Sequence, residues 1–343
     1  MTKPLRSSKR SQKRATLTDV AAVAGVSTIT VSRALRKPDS VAESTRQTIA
    51  SAIAQVNYIP NLIAGSLASD RSMTVAAIVP TLGNSIFTEV LQGMNEVLRP
   101  ANYQLILGNS NYSLDEEEAL VRAFLARQVD GVMLTGSSHS PWVHAMLKGD
   151  SIPVVETWSL PDNPLDMNVG FSNVEAARAM TAYLVDQGYK TIGFVSAPTL
   201  NNDRAADRLK GYTLALEQHK LPVDASLILE RPFKLRSGGL ALGTLIAEHP
   251  DVEAIFFAND TLAVGAILEC QRRGWRVPER IAIAGFDDLG IASEILPGLT
   301  TVRVYRHELG VTAAKMLLSC LNGEANIVKR VDLGFEIVRR ESA

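Results

Sequence analysis

Two groups of side chains in this sequence could take part in molecular recognition. The first lies near the N-terminus, where hydroxyls at Ser27, Thr30 and Ser32 precede a cation at Arg33. Hydroxyls of this kind suit phosphate oxygens, and an arginine can hold a guanine base through two hydrogen bonds. The second group contains an aromatic ring, carboxylates, an amide and an arginine, each of which follows a short apolar run. Its members are Phe87, Glu156, Arg208, Asn259 and Asp287.

The first group needs a rigid element to present it, and two short helices are predicted to do so. Thr16 and Asp19 have the spacing of a capping pair at a helix start, and Gly25 can adopt the left-handed conformation that ends the helix. Ser27 then caps a second helix over residues 28–35. Two short helices joined by a glycine-containing turn predict a helix-turn-helix, although an ordinary helical hairpin is the simpler alternative.

The second helix is predicted to have one buried and one outer face. The core-facing residues are Val31, Ala34 and Leu35, and the outer-facing residues are Thr28, Ile29, Ser32 and Arg33. In a helix-turn-helix, residues near the N-terminal end of the second helix reach base edges in the major groove. The outer face therefore indicates DNA as a possible partner.

A third helix and a weaker segment follow the first two helices. The third helix is predicted over residues 43–56, and its apolar stripe consists of Ile49, Ala50, Ile53 and Val56. Pro60 then breaks the helix, and Asn61 can cap a short segment over residues 62–68. That segment is apolar and contains Gly65, so it should scarcely be helical alone in water. It is either a flexible linker or a hinge helix that forms only on DNA.

Charge is distributed unevenly along the chain. Residues 1–72 hold eleven Lys and Arg against four Asp and Glu, a net +7, so the remainder carries −8 of the overall −1. A basic end on an acidic body suits a polyanion such as nucleic acid. Six of these cations lie in residues 1–15, which are predicted to form a disordered basic tail. Charge alone therefore does not distinguish a nucleic-acid-binding end from a merely disordered basic tail.

From Met73 onward, short apolar strands alternate with amphipathic helices. The predicted strands are 75–79, 104–107, 131–134, 153–156, 191–196, 254–257 and 281–284. The predicted helices are 87–99, 116–127, 174–187, 204–218 and 262–273. This alternation predicts parallel sheets in an α/β fold, in which ligands bind beyond the carboxyl ends of the strands. Some side chains at these places have purely structural interpretations as well: Asp260 and Asp288 as helix caps, Phe87 as core, and Arg208 as a solvated surface charge.

Several function classes are disfavoured by what the sequence lacks. No apolar run approaches the ~20 residues that span a bilayer, no secretory signal opens the chain, and two cysteines make no disulfide framework, so a cytoplasmic location is expected. No phosphate loop, nucleophile elbow or metal-ligand spacing is present, and the five histidines are scattered. We therefore expect no enzymatic activity, no metal and no cofactor. An enzyme or a transport-binding protein with the same α/β body is the less favoured alternative.

The order of these motifs resembles that of the lactose-repressor (LacI) family. The matching segments are Thr16-Leu-Thr-Asp-Val-Ala, Ala24-Gly-Val-Ser27, Thr30-Val-Ser-Arg33 and Asn57-Tyr-Ile-Pro-Asn61. The resemblance covers nearly the whole chain and implies a small all-α helix-turn-helix head joined to an α/β core of periplasmic-binding-protein type, whose two parallel-sheet subdomains enclose a cleft. The implied segments are a tail at 1–15, a DNA-binding domain at 16–60, a hinge helix and linker at 61–72, and an effector-binding and dimerisation core at 73–343, split near 172 with crossovers near 303 and 331.

The resemblance also implies which residues meet DNA. The specificity positions are occupied by Thr28, Ile29 and Arg33, and the backbone-contact positions by Tyr58 and Asn61. Leu67 falls on the leucine that wedges into the minor groove and kinks the duplex. The other expected DNA-binding residues are Thr16, Ser27, Thr30 and Ser32. A homodimer on a pseudo-palindromic operator is implied, and no leucine heptads follow residue 335 to build the tail that makes some members tetramers.

In the core, the resemblance implies an effector site. Arg208 matches the effector-binding arginine, and Asn259 and Asp287 match two further cleft positions. The remaining implied contacts are Phe233, as an aromatic wall, and Phe87 and Glu156 from the N-terminal subdomain. These residue types suit a polyol acid, because arginine can hold a carboxylate while the amide and acids bind hydroxyls and an aromatic face covers the carbon chain.

Further motifs are similar to those of the gluconate-utilisation repressors within the family. They include Pro153-Val-Val-Glu156, Val169-Gly-Phe-Ser-Asn173, Val277-Pro278 and Ile281-Ala-Ile-Ala-Gly-Phe286. The similarity implies a repressor of sugar-acid metabolism genes that gluconate or 6-phosphogluconate releases from its operator. The subgroup pattern has His-Gly where this chain has Asp287-Asp288, so another sugar acid or keto-sugar acid stays open, as does a corepressor role for the effector.

Overall fold

The computed structural model describes residues 15–59, 71–83, 85–149 and 152–343. The predicted tail before residue 15 and the predicted hinge residues Asn61 and Leu67 lie outside the described residues and stay predictions. The chain divides into two compact units, Met1–Ser72 and Met73–Ala343. Among the described residues, no helix is long and apolar enough to cross a membrane.

The described part of the smaller unit is a three-helix head. Its helices are α1 (Leu17–Ala24), α2 (Thr28–Arg36) and α3 (Glu43–Val56), with a 3₁₀ turn at Pro38–Ser40 between the last two. Its core consists of Val20, Ala21, Val31, Ile49 and Ala52. Two predicted core positions were wrong, because Leu35 is 38% exposed on α2 and Ala50 is exposed on α3, where Ala52 faces inward instead. The other predicted core positions, Val31, Ala34, Ile49, Ile53 and Val56, are buried or pack against this core as expected.

The larger unit contains twelve strands and nine further helices within its described residues. The strands are β1 (Thr74–Val79), β2 (Gln104–Asn109), β3 (Gly131–Thr135), β4 (Val154–Thr157), β5 (Met167–Gly170), β6 (Ile192–Ser196), β7 (Ile228–Glu230), β8 (Ala254–Phe257), β9 (Ala282–Asp287), β10 (Thr300–Arg303), β11 (Arg330–Asp332) and β12 (Glu336–Val338). The helices are α4 (Ile86–Leu98), α5 (Leu114–Ala126), α6 (Pro141–Leu147), α7 (Asn173–Asp186), α8 (Asp203–Gln218), α9 (Leu235–Glu248), α10 (Asp260–Arg273), α11 (Gly290–Glu294) and α12 (Arg306–Leu321).

The strands form two separate six-stranded sheets. The first has the order β11-β5-β4-β3-β1-β2 and defines the N-terminal subdomain, and the second has the order β12-β10-β9-β8-β6-β7 and defines the C-terminal subdomain. All neighbours are parallel except β12, which runs antiparallel to β10. Parallel order directs the carboxyl ends of the strands in each sheet to one edge, where loops can carry ligand-binding residues.

The chain passes between the subdomains three times. It leaves the first sheet after β5, returns after β10 so that α12 packs against α4, and leaves again between β11 and β12. Residues 333–335 form this last connection. Gly93 on α4 and Gly310 on α12 let the two helices approach closely, since a Cβ on Gly310 would lie 1.9 Å from the Val90 carbonyl oxygen. The returning helix is thereby fixed to the N-terminal subdomain.

Candidate functional site

The outer face of α2 forms a shallow groove on the head. The groove is lined by Leu17, Thr28, Ile29, Ser32, Arg33 and Lys37. Ile29 is the conspicuous member, because this apolar side chain is 69% exposed on an otherwise polar surface. Thr28 and Arg33 are exposed beside it, whereas Ser32 is half-buried. This face carries both polar and apolar groups that could meet base edges.

Two other hydroxyl side chains that are predicted to contact DNA also cap helices of the head. Ser27 Oγ accepts a hydrogen bond from Thr30 N at 3.1 Å, and the two hydroxyls lie 2.9 Å apart. Thr16 and Asp19 form the expected capping box, in which the Thr16 hydroxyl donates to Asp19 Oδ2 at 2.7 Å. Tyr58, just beyond the end of α3, packs partly buried against the core of the head. These residues hold the recognition face in shape.

In the larger unit, the structure brings four of the predicted effector residues together. Arg208, Phe233 and Asn259 line one deep pocket at the carboxyl ends of the strands. Asp287 ends β9 behind Asn259, whose Nδ2 donates to Asp287 Oδ2 at 2.6 Å. Asp287 Oδ1 lies 3.8 Å from Arg208 Nη2. The backbone at Asp287 has φ 110°, a strained conformation for a non-glycine residue, and such strain is concentrated at ligand sites.

Arg208 is tied firmly to the C-terminal subdomain. Its Nε donates to Asn173 Oδ1 at 2.8 Å, its Nη1 donates to the Ala258 carbonyl at 2.7 Å, and its guanidinium lies 3.6 Å above the Phe286 ring. Burial lowers the pKa of Arg208 to about 10, although the negative charge of Asp287 partly opposes this shift. The guanidinium remains a cation at neutral pH, and two of its five N–H groups donate to Asn173 and Ala258.

A second buried carboxylate lies close to Asp287. Asp260 accepts hydrogen bonds from Leu289 N at 2.7 Å and from the Thr301 hydroxyl at 2.6 Å. Burial, together with the charge of Asp287, raises the pKa of Asp260 to about 8. The N-cap of α10 is Asn259, whose side chain accepts a hydrogen bond from Thr261 N. The alternative prediction that Asp260 caps this helix was therefore wrong by one residue.

Two predicted effector residues do not line the pocket. Phe87 is 2% exposed within the core of the larger unit, where its ring meets the Trp158 ring edge-on at 5.4 Å. Glu156 accepts a hydrogen bond from Leu165 N at 2.6 Å and lies 3.4 Å from His139 Nε2. Trp158 itself lines the pocket, and its buried indole N–H has no hydrogen-bond partner among the described residues. The N-terminal subdomain thus contributes Trp158 where Phe87 and Glu156 were expected.

Other lining residues were missed by the sequence interpretation. Tyr112 follows β2 on a turn in which Asn111 and Tyr112 both have positive φ, and its ring faces Phe233 across the cleft at 6.4 Å between centroids. Arg204 lies four residues before Arg208 on α8, so the two share one helix face. That spacing was a signal in the sequence that could have identified Arg204. No comparable pattern in the sequence predicts the turn that directs Tyr112 into the cleft.

The deep pocket opens into a wider outer cavity between the subdomains. The deep part measures about 20 Å³, and the outer cavity measures about 560 Å³, within the range typical of small-molecule sites. Thr81 and Tyr112 line the outer cavity from the N-terminal subdomain, and Phe233 and Lys234 line it from the C-terminal subdomain. Opening or closing of the subdomains would therefore change the volume available to a ligand.

One carboxylate joins the two walls of the cleft. Asp203, at the start of α8, accepts hydrogen bonds at Oδ2 from Ser137 N (2.8 Å), Ser137 Oγ (3.0 Å) and Ser159 Oγ (2.9 Å). Both serines belong to the N-terminal subdomain. Burial raises the pKa of Asp203, but the Arg204 charge and the serine hydrogen bonds outweigh it, so that the pKa is lowered overall. We call this contact the Asp203 latch.

Comparison with known proteins assigns these two units to a family. Residues 16–61 match the family described as bacterial regulatory proteins, lacI family, and residues 181–343 match the periplasmic binding protein-like domain. The HTH-type transcriptional regulator GntR of Pseudomonas aeruginosa is 38% identical over 335 residues, which cover 97% of each chain. The chain belongs to the lacI family of bacterial regulatory proteins.

Solved structures of the family have the same fold. A LacI-family transcriptional regulator from Silicibacter pomeroyi matches with a TM-score of 0.89 at 32% identity, over 96% of this chain and 99% of that one. The Lac repressor dimer bound to operator and the anti-inducer ONPF matches with a TM-score of 0.84 at 26% identity, over 96% and 99%. The predicted family and fold class are therefore confirmed. This lacI-family member is a DNA-binding transcriptional repressor, and its relatives are regulators rather than enzymes, which confirms that prediction also.

Glu156 takes part in a buried cluster elsewhere in the N-terminal subdomain of this lacI-family member. His139 Nδ1 lies 2.7 Å from Glu117 Oε1, and His139 Nε2 lies 3.4 Å from Glu156 Oε1. Burial opposes a charge on the ring, but the hydrogen bond to Glu117 and the charges of both glutamates outweigh it and raise the pKa of His139 to about 9. The cluster is therefore an imidazolium held between two carboxylates, and it fixes the loop that carries Ser137.

We expect this cluster to make stability depend on pH. The folded-state pKa of about 9 exceeds the unfolded value of 6.5, so the stabilisation is complete below pH 6.5 and is lost as the pH rises through 9. The free energy of unfolding, measured with urea, should fall by about 1–3 kcal/mol between pH 6.5 and 9.5. His139→Gln should make this decrease smaller without abolishing it, because Asp260, whose folded pKa of about 8 lies above its usual value of 3.8, also reduces stability as the pH rises towards 8. The exposed His219→Gln variant should keep the whole decrease. An unchanged decrease in His139→Gln would show that other groups cause it.

Proposed function

We propose that this protein is a cytoplasmic repressor of sugar-acid metabolism genes, and that gluconate or 6-phosphogluconate releases it from its operator. The observation that carries the proposal is the chemistry of the deep pocket. Two arginines, the Asn259 amide and the nearby Asp287 carboxylate meet the Tyr112 and Phe233 rings there. Cations suit the acid group, amide and carboxylate oxygens suit the hydroxyls, and the rings suit the carbon chain.

The motifs shared with gluconate-utilisation repressors support the same ligand class, and the GntR relative is consistent with it. Asp287-Asp288 differs from the subgroup pattern, and it adds a buried carboxylate beside the pocket. Because a carboxylate repels a second acid group, Asp287 favours gluconate, which has one acidic end, over 6-phosphogluconate, which has two. A related sugar acid or keto-sugar acid is the alternative within this class.

The proposed DNA interface uses the outer face of α2. Thr28, Ile29 and Arg33 would meet base edges, while the hydroxyls of Thr16, Ser27, Thr30, Ser32 and Tyr58 would position the helix against phosphates. The exposure of Ile29 supports this assignment, since an apolar side chain can meet the methyl group of thymine. Asn61 and Leu67 complete the interface as predicted from the sequence. The solved Lac repressor, a dimer on its operator, supports the same assembly for this chain.

The proposed switch acts through the cleft. An effector that bridges the two subdomains would change their relative arrangement and so the spacing of the two heads in a dimer. The Asp203 latch supports such coupling, because it ties the C-terminal subdomain to two loops of the N-terminal one. A ligand shifts such an equilibrium only by the difference between its affinities for the two arrangements.

The DNA interface predicts a selective effect at Ile29. Ile29→Ala should weaken binding to an operator duplex, selected from random sequences by the wild type, by about 1–3 kcal/mol, because one base contact is lost. Val23→Ala is a matched control, since Val23 is 44% exposed on α1 outside the groove. Fluorescence anisotropy at fixed salt measures both affinities. Equal losses in the two variants would contradict the assignment of this face.

The ligand class is tested by calorimetry on the full-length protein. Gluconate, 6-phosphogluconate and 2-ketogluconate are titrated separately, and at least one should bind with a stoichiometry of one per chain. Glucitol, which has the hydroxyls of gluconate without the acid, should bind more weakly because it cannot pair with arginine. Flat titrations for all three acids would contradict the sugar-acid proposal while leaving the regulator function intact.

A further inference from the structure

The two arginines of the deep pocket differ in what they contact. Arg208 is bound on three sides by groups of the C-terminal subdomain, through Asn173, Ala258 and the Phe286 ring. These contacts fix it as part of the pocket wall. Its remaining Nη2 faces Asp287 at 3.8 Å, so much of its charge is already balanced within the same subdomain.

Arg204 reaches the opposite subdomain instead. Its Nη1 donates to Asp203 Oδ1 at 2.8 Å and lies 2.1 Å from the position that a Cβ on Gly136 would occupy. Gly136 follows β3 of the N-terminal subdomain, so a side chain at this position would displace the guanidinium. Arg204 also lines the deep pocket together with Tyr112, which belongs to that subdomain as well. Although it starts from α8, Arg204 therefore spans the cleft.

The two cations also repel each other. Each is less than a tenth exposed, both line the same pocket, and the charge of Arg204 contributes to the lowered pKa of Arg208. Asp203 pairs with Arg204 through one oxygen only, and its second oxygen accepts three hydrogen bonds from Ser137 and Ser159. An anion placed between the arginines would relieve this repulsion, and Arg204 has more of its donors available to bind it.

We propose that Arg204 recognises the anionic group of the effector, and that Arg208 serves as a fixed wall of the pocket. The inference rests on the proposed sugar-acid function and extends it. Because Arg204 touches both subdomains and is paired with the Asp203 latch, binding of the anion would be linked directly to the closed arrangement of the cleft. Specificity for acids over neutral polyols would then depend on this residue.

The test is the ratio of gluconate to glucitol affinity, measured by calorimetry on full-length variants. Arg204→Gln should weaken gluconate binding by about 10- to 100-fold, the usual value of a charged hydrogen bond, and change glucitol binding little. Arg204→Lys keeps the cation but loses its fork geometry, so it should retain part of the preference. Lys210→Gln removes the same charge from an exposed position on α8 and should leave the ratio unchanged.

Arg208→Lys provides the contrast. If Arg208 is a fixed wall, this variant should weaken gluconate and glucitol binding by similar factors and keep the ratio. The inference would be overturned if Arg204→Gln kept the full preference for gluconate over glucitol, or if only Arg208→Lys lost that preference. The proposed function would stand in either case. Flat wild-type titrations for gluconate and 6-phosphogluconate would contradict the proposed function and this inference together.

Discussion

The Asp203 carboxylate accepts three hydrogen bonds from the opposite subdomain through a single oxygen, and the shape of the cleft depends on them. Hydrogen bonds to a charged group each contribute about 1.5–3 kcal/mol, so this buried contact has a large effect on the alignment of the two subdomains. The subdomains also meet through the crossing segments and across the cleft, where Tyr112 faces Phe233. The adjacent Arg204 is positioned by the other oxygen. Recognition of an anion and alignment of the subdomains thus share one side-chain pair.

The connections between the two subdomains explain how Asp203 and Arg204 can affect parts of the protein far from the cleft. Three passages of the chain join the subdomains, and α12 returns to pack on α4 through two glycines. The passages permit relative motion, whereas each sheet is a close-packed unit that moves as a whole. A small change at the start of α8 can therefore be passed to the whole N-terminal subdomain.

Much of the architecture was predictable because it follows from local patterns. Strand and helix alternation indicated the parallel sheets, and the capping pair at Thr16 and Asp19 indicated the start of the first helix. Five short strands were missed, namely β5, β7, β10, β11 and β12, each of which has only three or four residues and is defined by its neighbours in the sheet. In the cleft, the rule that ligands bind beyond strand ends selected Arg208, Asn259 and Asp287, which the structure groups together.

The remaining site residues depend on contacts that no local pattern reveals. Glu156 follows a strand as expected, but it faces the buried His139, which comes from a loop after the neighbouring strand. Tyr112 enters the cleft through two successive residues with positive φ. Phe87 packs behind Trp158, which occupies the pocket wall in its place. Tertiary packing, rather than residue type, decided these positions.

In the proposed switch, the effector and the operator favour different arrangements of one molecule, so each weakens the binding of the other. The direct measurement is the affinity for gluconate with and without saturating operator duplex, determined by calorimetry at one salt concentration. Operator should lower gluconate affinity by the same factor by which gluconate lowers operator affinity, because linkage is reciprocal. Identical gluconate affinity in both conditions, or a tighter affinity on the operator, would contradict it.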